Sequence, residues 1–145
     1  MASLTVISGV GGKLPAAFLL EIEGYRLLWD LGAGPEPGVR PAVDAIGQVD
    51  ALCLTHSHVD HAAALDSWAD IGSPPVYASE ITWQQLGEAG VPAQARRILP
   101  VRAGAAESLY RSQRAFARID LVSSADCGWH HLYGRLESRI AAVAV

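Results

Sequence analysis

Cysteine is nearly missing from this 145-residue chain. Its two thiols, Cys53 and Cys127, stand too far apart to suggest a disulfide framework, so reduced thiols and a cytoplasmic setting are the default expectation. Lysine is scarcer still: Lys13 is the only one among 11 basic residues, which 15 acidic residues outnumber to give a formal charge of -4. Nothing in that balance demands a nucleic-acid partner. Arg96, Arg97, Arg102, Arg111, Arg114 and Arg118 would form a phosphate-facing stripe or, on the plainer reading, a solvated face. No run approaches the roughly 18 apolar residues of a membrane helix. The apolar stretch over residues 15–20 stops at Glu21 with no basic segment before it, so no signal peptide is read there.

Several catalytic signatures are also absent. No Gly-x-Ser-x-Gly elbow and no His-Glu-x-x-His helix occurs, which removes the serine-hydrolase and zincin readings. Gly9-Val10-Gly11-Gly12-Lys13-Leu14 lacks the earlier glycine of a phosphate loop and has Leu14 where Ser or Thr would hold magnesium; it reads as a turn.

What remains is half hydrophobic and 18% charged, the composition of a folded globule. Residues 1–145 are expected to form a single domain of the α/β class. Residues 4–10, 18–23 and 25–30 read as a strand meander, turning at the early glycines and at Gly24. Residues 39–46 read as a short helix with Pro41 in its first turn, and residues 51–54 as a buried strand. A helix over 62–71 would bury Leu65, Trp68 and Ile71. A strand over 76–78 then leads into a helix from Ser79 and Glu80 to Leu86, stopped by Gly87 and Gly90. Residues 103–107 read as a linker and 110–118 show no clean period. Residues 119–122 and 135–145 read as a last strand and helix.

Three of the five histidines fall within six positions, in Thr55-His56-Ser57-His58-Val59-Asp60-His61. In extended backbone, side chains two apart share a side, so His56 and His58 would present ring nitrogens to one ion, at about 2.0–2.1 Å if it is zinc. Asp60 and His61 offer a carboxylate and a third imidazole where the chain turns away. This geometry suits a second ion, since two-metal hydrolytic sites hold their ions about 3.5–4 Å apart. Nitrogen and oxygen donors without a thiolate favour zinc, and manganese or iron suit the same ligand types. A lone histidine is ordinarily surface or satisfied core, and Asp60 would also serve as a cap for the helix that follows. The metal reading is stronger for the quartet together than for any one member.

The quartet, with residues 18–32 ending in Asp30-Leu31-Gly32, resembles the His-x-His-x-Asp-His signature and preceding hairpin of the metallo-β-lactamase fold hydrolases. The resemblance covers roughly residues 4–99, with 100–145 matching poorly. It implies an αββα sandwich carrying up to two zinc ions, with His56 and His58 on the first metal and Asp60 and His61 on the second. Asp60 would also orient the attacking water, as the catalytic carboxylate. A zinc-bound water has its pKa lowered to about 7, so a metal-bound hydroxide would attack an ester, thioester, amide or phosphodiester. Small molecules or phosphodiesters are the implied substrates, with an RNA substrate suggested by nuclease relatives rather than by charge. Asp30 would hold the loop or a ligand imidazole, or be a plain turn residue.

The later ligands of that family are not recognisable. His130 and His131 are adjacent and read as a loop or helix-start pair, and Asp120 and Asp126 do not sit in matching motifs. The chain is also short for the family. It is therefore expected to be a fragment, an internally deleted member or an incorrectly joined reading frame, incomplete in its second half. Two alternatives to a hydrolase follow: a catalytically impaired metal-binding remnant, and a non-enzymatic interaction module that self-associates through an open sheet edge.

Overall fold

The N-terminal meander forms where apolar β-formers alternate on either side of one tight turn. Strand β1 (Ala2–Ser8) pairs antiparallel with β2 (Ala17–Ile22), which pairs with β3 (Tyr25–Trp29). The β2–β3 connection is the two-residue turn Glu23-Gly24, with φ of 50° and 86°. Both residues are left-handed, as a type I′ hairpin turn requires to match strand twist. The computed structural model describes residues 2–10, 14–87, 89–99, 106–111, 117–124 and 131–138.

Beyond β3 the pairing becomes parallel. Strands β4 (Ala51–Cys53), β5 (Val76–Ser79) and β6 (Arg96–Leu99) extend the sheet in the order β1-β2-β3-β4-β5-β6. Leu28 and Leu52, neighbours in register, are fully buried with Val76, Ile46, Leu54 and Leu65 in the main core. Leu27, Ala51 and Cys53 alternate with them and are equally buried, so both faces of the sheet's middle are covered. At the β1 edge, Leu4 and Val6 are 62% and 47% exposed.

The helices depart from the sequence expectations in instructive ways. Helix α1 (Val43–Ile46) is one turn rather than residues 39–46. The carbonyl of Val39 accepts from Gly34 N at 2.7 Å and its N–H donates to Glu36 at 3.2 Å, which commits that residue to turns. Helix α2 (Val59–Ala62) is also a single turn, followed by a 3-10 turn at Leu65–Ser67, in place of a helix over 62–71. The carbonyl of Asp60 accepts from Ala16 N at 2.6 Å and that of His61 from Leu31 N at 2.9 Å, while Ala64 N donates to Leu31 O at 3.0 Å. Tertiary backbone bonds occupy the groups that would have continued the helix. Helix α3 (Glu80–Leu86) runs as expected: Ser79 Oγ accepts from Thr82 N at 3.1 Å, and Gly87 ends it at φ 60°.

The chain divides into two compact units, Met1–Leu99 and Pro100–Val145. In the second, β7 (Ala106–Arg111), β8 (Ala117–Ser124) and β9 (His131–Ser138) form an antiparallel sheet in that order. The expected linker therefore ends in strand β7, and residues 135–138, expected to be helical, belong to β9. The pairing of β9 with β8, from Ala117↔Ser138 to Ser124↔His131, supplies the ladder that a local reading could not foresee. His131 starts a strand rather than a helix; Asp120 lies in β8 opposite Arg135. His130 and Asp126 lie outside the described residues. No described helix is long and apolar enough to cross a membrane.

Candidate metal centre

Parallel strands β3 and β4 end side by side, with Trp29 opposite Cys53, and their next residues build the site. Asp30 follows β3, its N–H donating to Cys53 O at 2.9 Å, and Thr55 through His61 follow β4. The loop thus lies at the carboxyl edge of the parallel strands, where open α/β sheets place their ligand crevices.

Asp30 is the anchor. It is 2% exposed and held at φ 59°, a left-handed conformation that a non-glycine residue adopts at a cost. Its Oδ1 accepts the Thr55 N–H at 2.8 Å, and both carboxylate oxygens lie within 3.0 Å of Thr55 Oγ1. Its Oδ2 pairs with His61 Nδ1 at 2.8 Å. Of the two sequence readings of Asp30, the structure supports the one in which it holds the loop and an imidazole. The Asp30 hydrogen bond raises the His61 pKa above its usual 6.5 against the opposing effect of partial burial, and the charges of Asp30 and Asp60 add to the rise.

The histidine rings are gathered. His56 and His58 have ring centroids 4.5 Å apart at an edge-on 74°, and His56 and His61 have centroids 4.0 Å apart. His61 Nε2 lies 3.7 Å from Asp60 Oδ2. Asp60 sits inside α2 and makes no cap; the residue before the helix is His58, whose side chain does not cap it either. Among the described residues no three His, Cys, Asp or Glu side chains are arranged to hold one ion together. The donors are brought together in pairs, and their chemistry fits a divalent cation. Imidazoles and a carboxylate face one another, and the inner nitrogen of His61 is tied to a carboxylate, as metal-binding histidines usually are.

Two contacts escaped sequence reading. Thr55, immediately before the quartet, has its hydroxyl 3.0 Å from His56 Nδ1 and 3.3 Å from His61 Nδ1. Ser57 Oγ donates to Gln85 Oε1, fastening the loop to α3. A third constraint is Gly32: a Cβ there would overlap the Asp60 carbonyl, so only glycine lets the β3 end approach the loop this closely. Cys53, fully buried beneath the site, has its thiol pushed well up by burial and by the nearby Asp30 charge, which makes it inert. Of the arginines in the expected stripe, Arg96 and Arg97 have described side chains, Arg96 half-buried and Arg97 exposed. Arg96 stacks 5.0 Å from the Trp83 ring centroid and Arg97 bonds the Gln94 and Arg96 carbonyls.

Comparison with known proteins adds an independent observation. The family profile described as the metallo-beta-lactamase superfamily matches residues 10–134. The chain is 36% identical over 70 residues to a ribonuclease Z of Clostridium botulinum, across 45% of this chain and 22% of that protein. It is 40% identical over 63 residues to a ribonuclease Z of Methanopyrus kandleri, across 39% of this chain and 23% of that protein. Among solved structures, a diphosphatase from the PhnP family superposes with a TM-score of 0.61 at 19% identity, covering 93% of this chain and 61% of that one. The chain thus matches less than a quarter of the length of these curated relatives.

Proposed function

Because this chain belongs to the metallo-beta-lactamase superfamily, a family of hydrolases whose α/β fold it shares, we propose that it is a zinc-dependent hydrolase of phosphodiester bonds, with RNA as the substrate class. His56 and His58 would hold one ion and Asp60 and His61 a second. Bound there, the metal would supply Lewis acidity and an activated water. The chain's own residues set the stage: Asp30 orients the His61 imidazole, Gly32 admits the loop, and Asp60 would orient the attacking water.

The observation that carries this reading is the Asp30–His61 pair at 2.8 Å beside the two neighbouring imidazoles. A buried carboxylate that turns one histidine nitrogen inward leaves the other directed at a ligand. The choice of phosphodiester rests on the ribonuclease Z relatives. The cytoplasmic setting is part of the same proposal.

Elemental analysis of the purified protein, with turnover of bis(p-nitrophenyl) phosphate, tests the proposal. Two zinc ions per chain and turnover abolished in His58→Ala are expected. One ion without turnover would assign a binding remnant instead. No bound metal and no turnover after zinc loading would remove the reading altogether.

A further inference from the structure

The Thr55 hydroxyl has one proton and sits among four polar atoms. Asp30 Oδ2 and Oδ1 lie 2.9 and 3.0 Å away, His56 Nδ1 lies 3.0 Å away and His61 Nδ1 3.3 Å away. A carboxylate only accepts hydrogen bonds, whereas a neutral imidazole nitrogen donates or accepts according to its tautomer. If the Thr55 proton pointed at His56, the hydroxyl lone pairs would face two carboxylate oxygens at hydrogen-bond distance. That arrangement is repulsive. The proton therefore goes to Asp30, and the oxygen is left as an acceptor.

We propose that Thr55 is the positioning residue that selects the His56 tautomer, placing the proton on Nδ1 and the lone pair on Nε2. With the hydroxyl donating to Asp30, the atom 3.0 Å away at His56 must be an N–H. The same logic applies to His61. Its Nδ1 lies 2.8 Å from Asp30 Oδ2, so it also bears a proton, and its lone pair is on Nε2. One buried carboxylate thus sets both imidazoles, His61 directly and His56 through the threonine hydroxyl. The two rings, 4.0 Å apart by centroid, carry the same nitrogen in ligating form before any ion arrives.

The inference rests on the metal-site reading above only for its consequence, not for the hydrogen-bond order. Nitrogen-15 NMR of the metal-free protein, at a pH where the imidazoles are neutral, reads each tautomer directly. Wild type is expected to show Nδ1–H on His56 and His61. Thr55→Val, which keeps the shape and removes the hydroxyl, is expected to lower the share of Nδ1–H at His56 while leaving His61 unchanged. Thr55→Ser should restore the wild-type pattern. Zinc(II) affinity by calorimetry should fall about 10–100-fold in Thr55→Val and stay within a few-fold in Thr55→Ser. Nε2–H on His56 in wild type would overturn the proposal even if Thr55→Val failed to fold. So would a Thr55→Val protein with the wild-type His56 tautomer. The assigned tautomers in a protein that binds no zinc would uphold this inference and defeat the hydrolase reading.

Discussion

Asp30 concentrates the demands of the site in one side chain. Three donors converge on it: the Thr55 N–H, the Thr55 hydroxyl and His61 Nδ1. Asp30→Ala would leave all three part-buried donors without their acceptor and place alanine at φ 59°. A buried donor left unsatisfied costs about 1–3 kcal/mol, and such costs overlap, so a loss of about 3 kcal/mol in urea unfolding is expected. Gly32→Ala tests the neighbouring constraint. Its Cβ would meet the Asp60 carbonyl, which is backbone and cannot swing aside. A loss of roughly 3 kcal/mol is expected, with His58 and His61 resonances shifted in NMR spectra. A variant as stable as wild type would mean that the two segments are less closely packed. At this scale the sequence was partly legible. The quartet announced itself by density, whereas Asp30 was left between holding the loop or a ligand imidazole and being a plain turn residue, because its role depends on a residue 25 positions away.

At the scale of elements, local signals succeeded where the bonds they predict are local. Ser79 caps α3 because its side chain reaches an amide three residues on, and Thr82 Oγ1 lies 2.8 Å from the same hydroxyl. Ser79→Ala should therefore cost about 1–2 kcal/mol in urea midpoint analysis, with helix loss confined to residues 80–86 in hydrogen exchange. A change below a few tenths of a kcal/mol would mean that the cap is dispensable. The Glu23-Gly24 turn was similarly readable from its glycine. Helix α2 was not. Its apolar residues carry a helical pattern through Ile71, yet Ala16 and Leu31 take or supply the backbone bonds that would have extended it. Those partners come from other strands and loops, so no window along residues 59–71 contains them.

For the molecule as a whole, the sheet couples ionisation to stability. Tyr25 on β3 is pushed up to about 12 from 10.0, first by burial and then by Tyr77 and Asp50. As pH rises through 10 the unfolded chain loses this proton while the folded chain keeps it, so folding takes up a proton and stability falls. The loss continues to about 12, where both states are ionised. Urea midpoints should therefore fall more steeply over this range in wild type than in Tyr25→Phe; parallel curves would show that the phenol is solvated.

The sequence by itself determined the clustering of the histidines, the hairpin, the α3 cap and the α/β class, because each is written in residues that are neighbours along the chain. Only the tertiary structure decided that Asp30 and Thr55 order the imidazoles, that α2 stops after one turn, and that residues 131–138 form a strand. Each of those outcomes is settled by hydrogen bonds between distant segments. A buried carboxylate or backbone amide takes whichever partner the folded chain brings within reach.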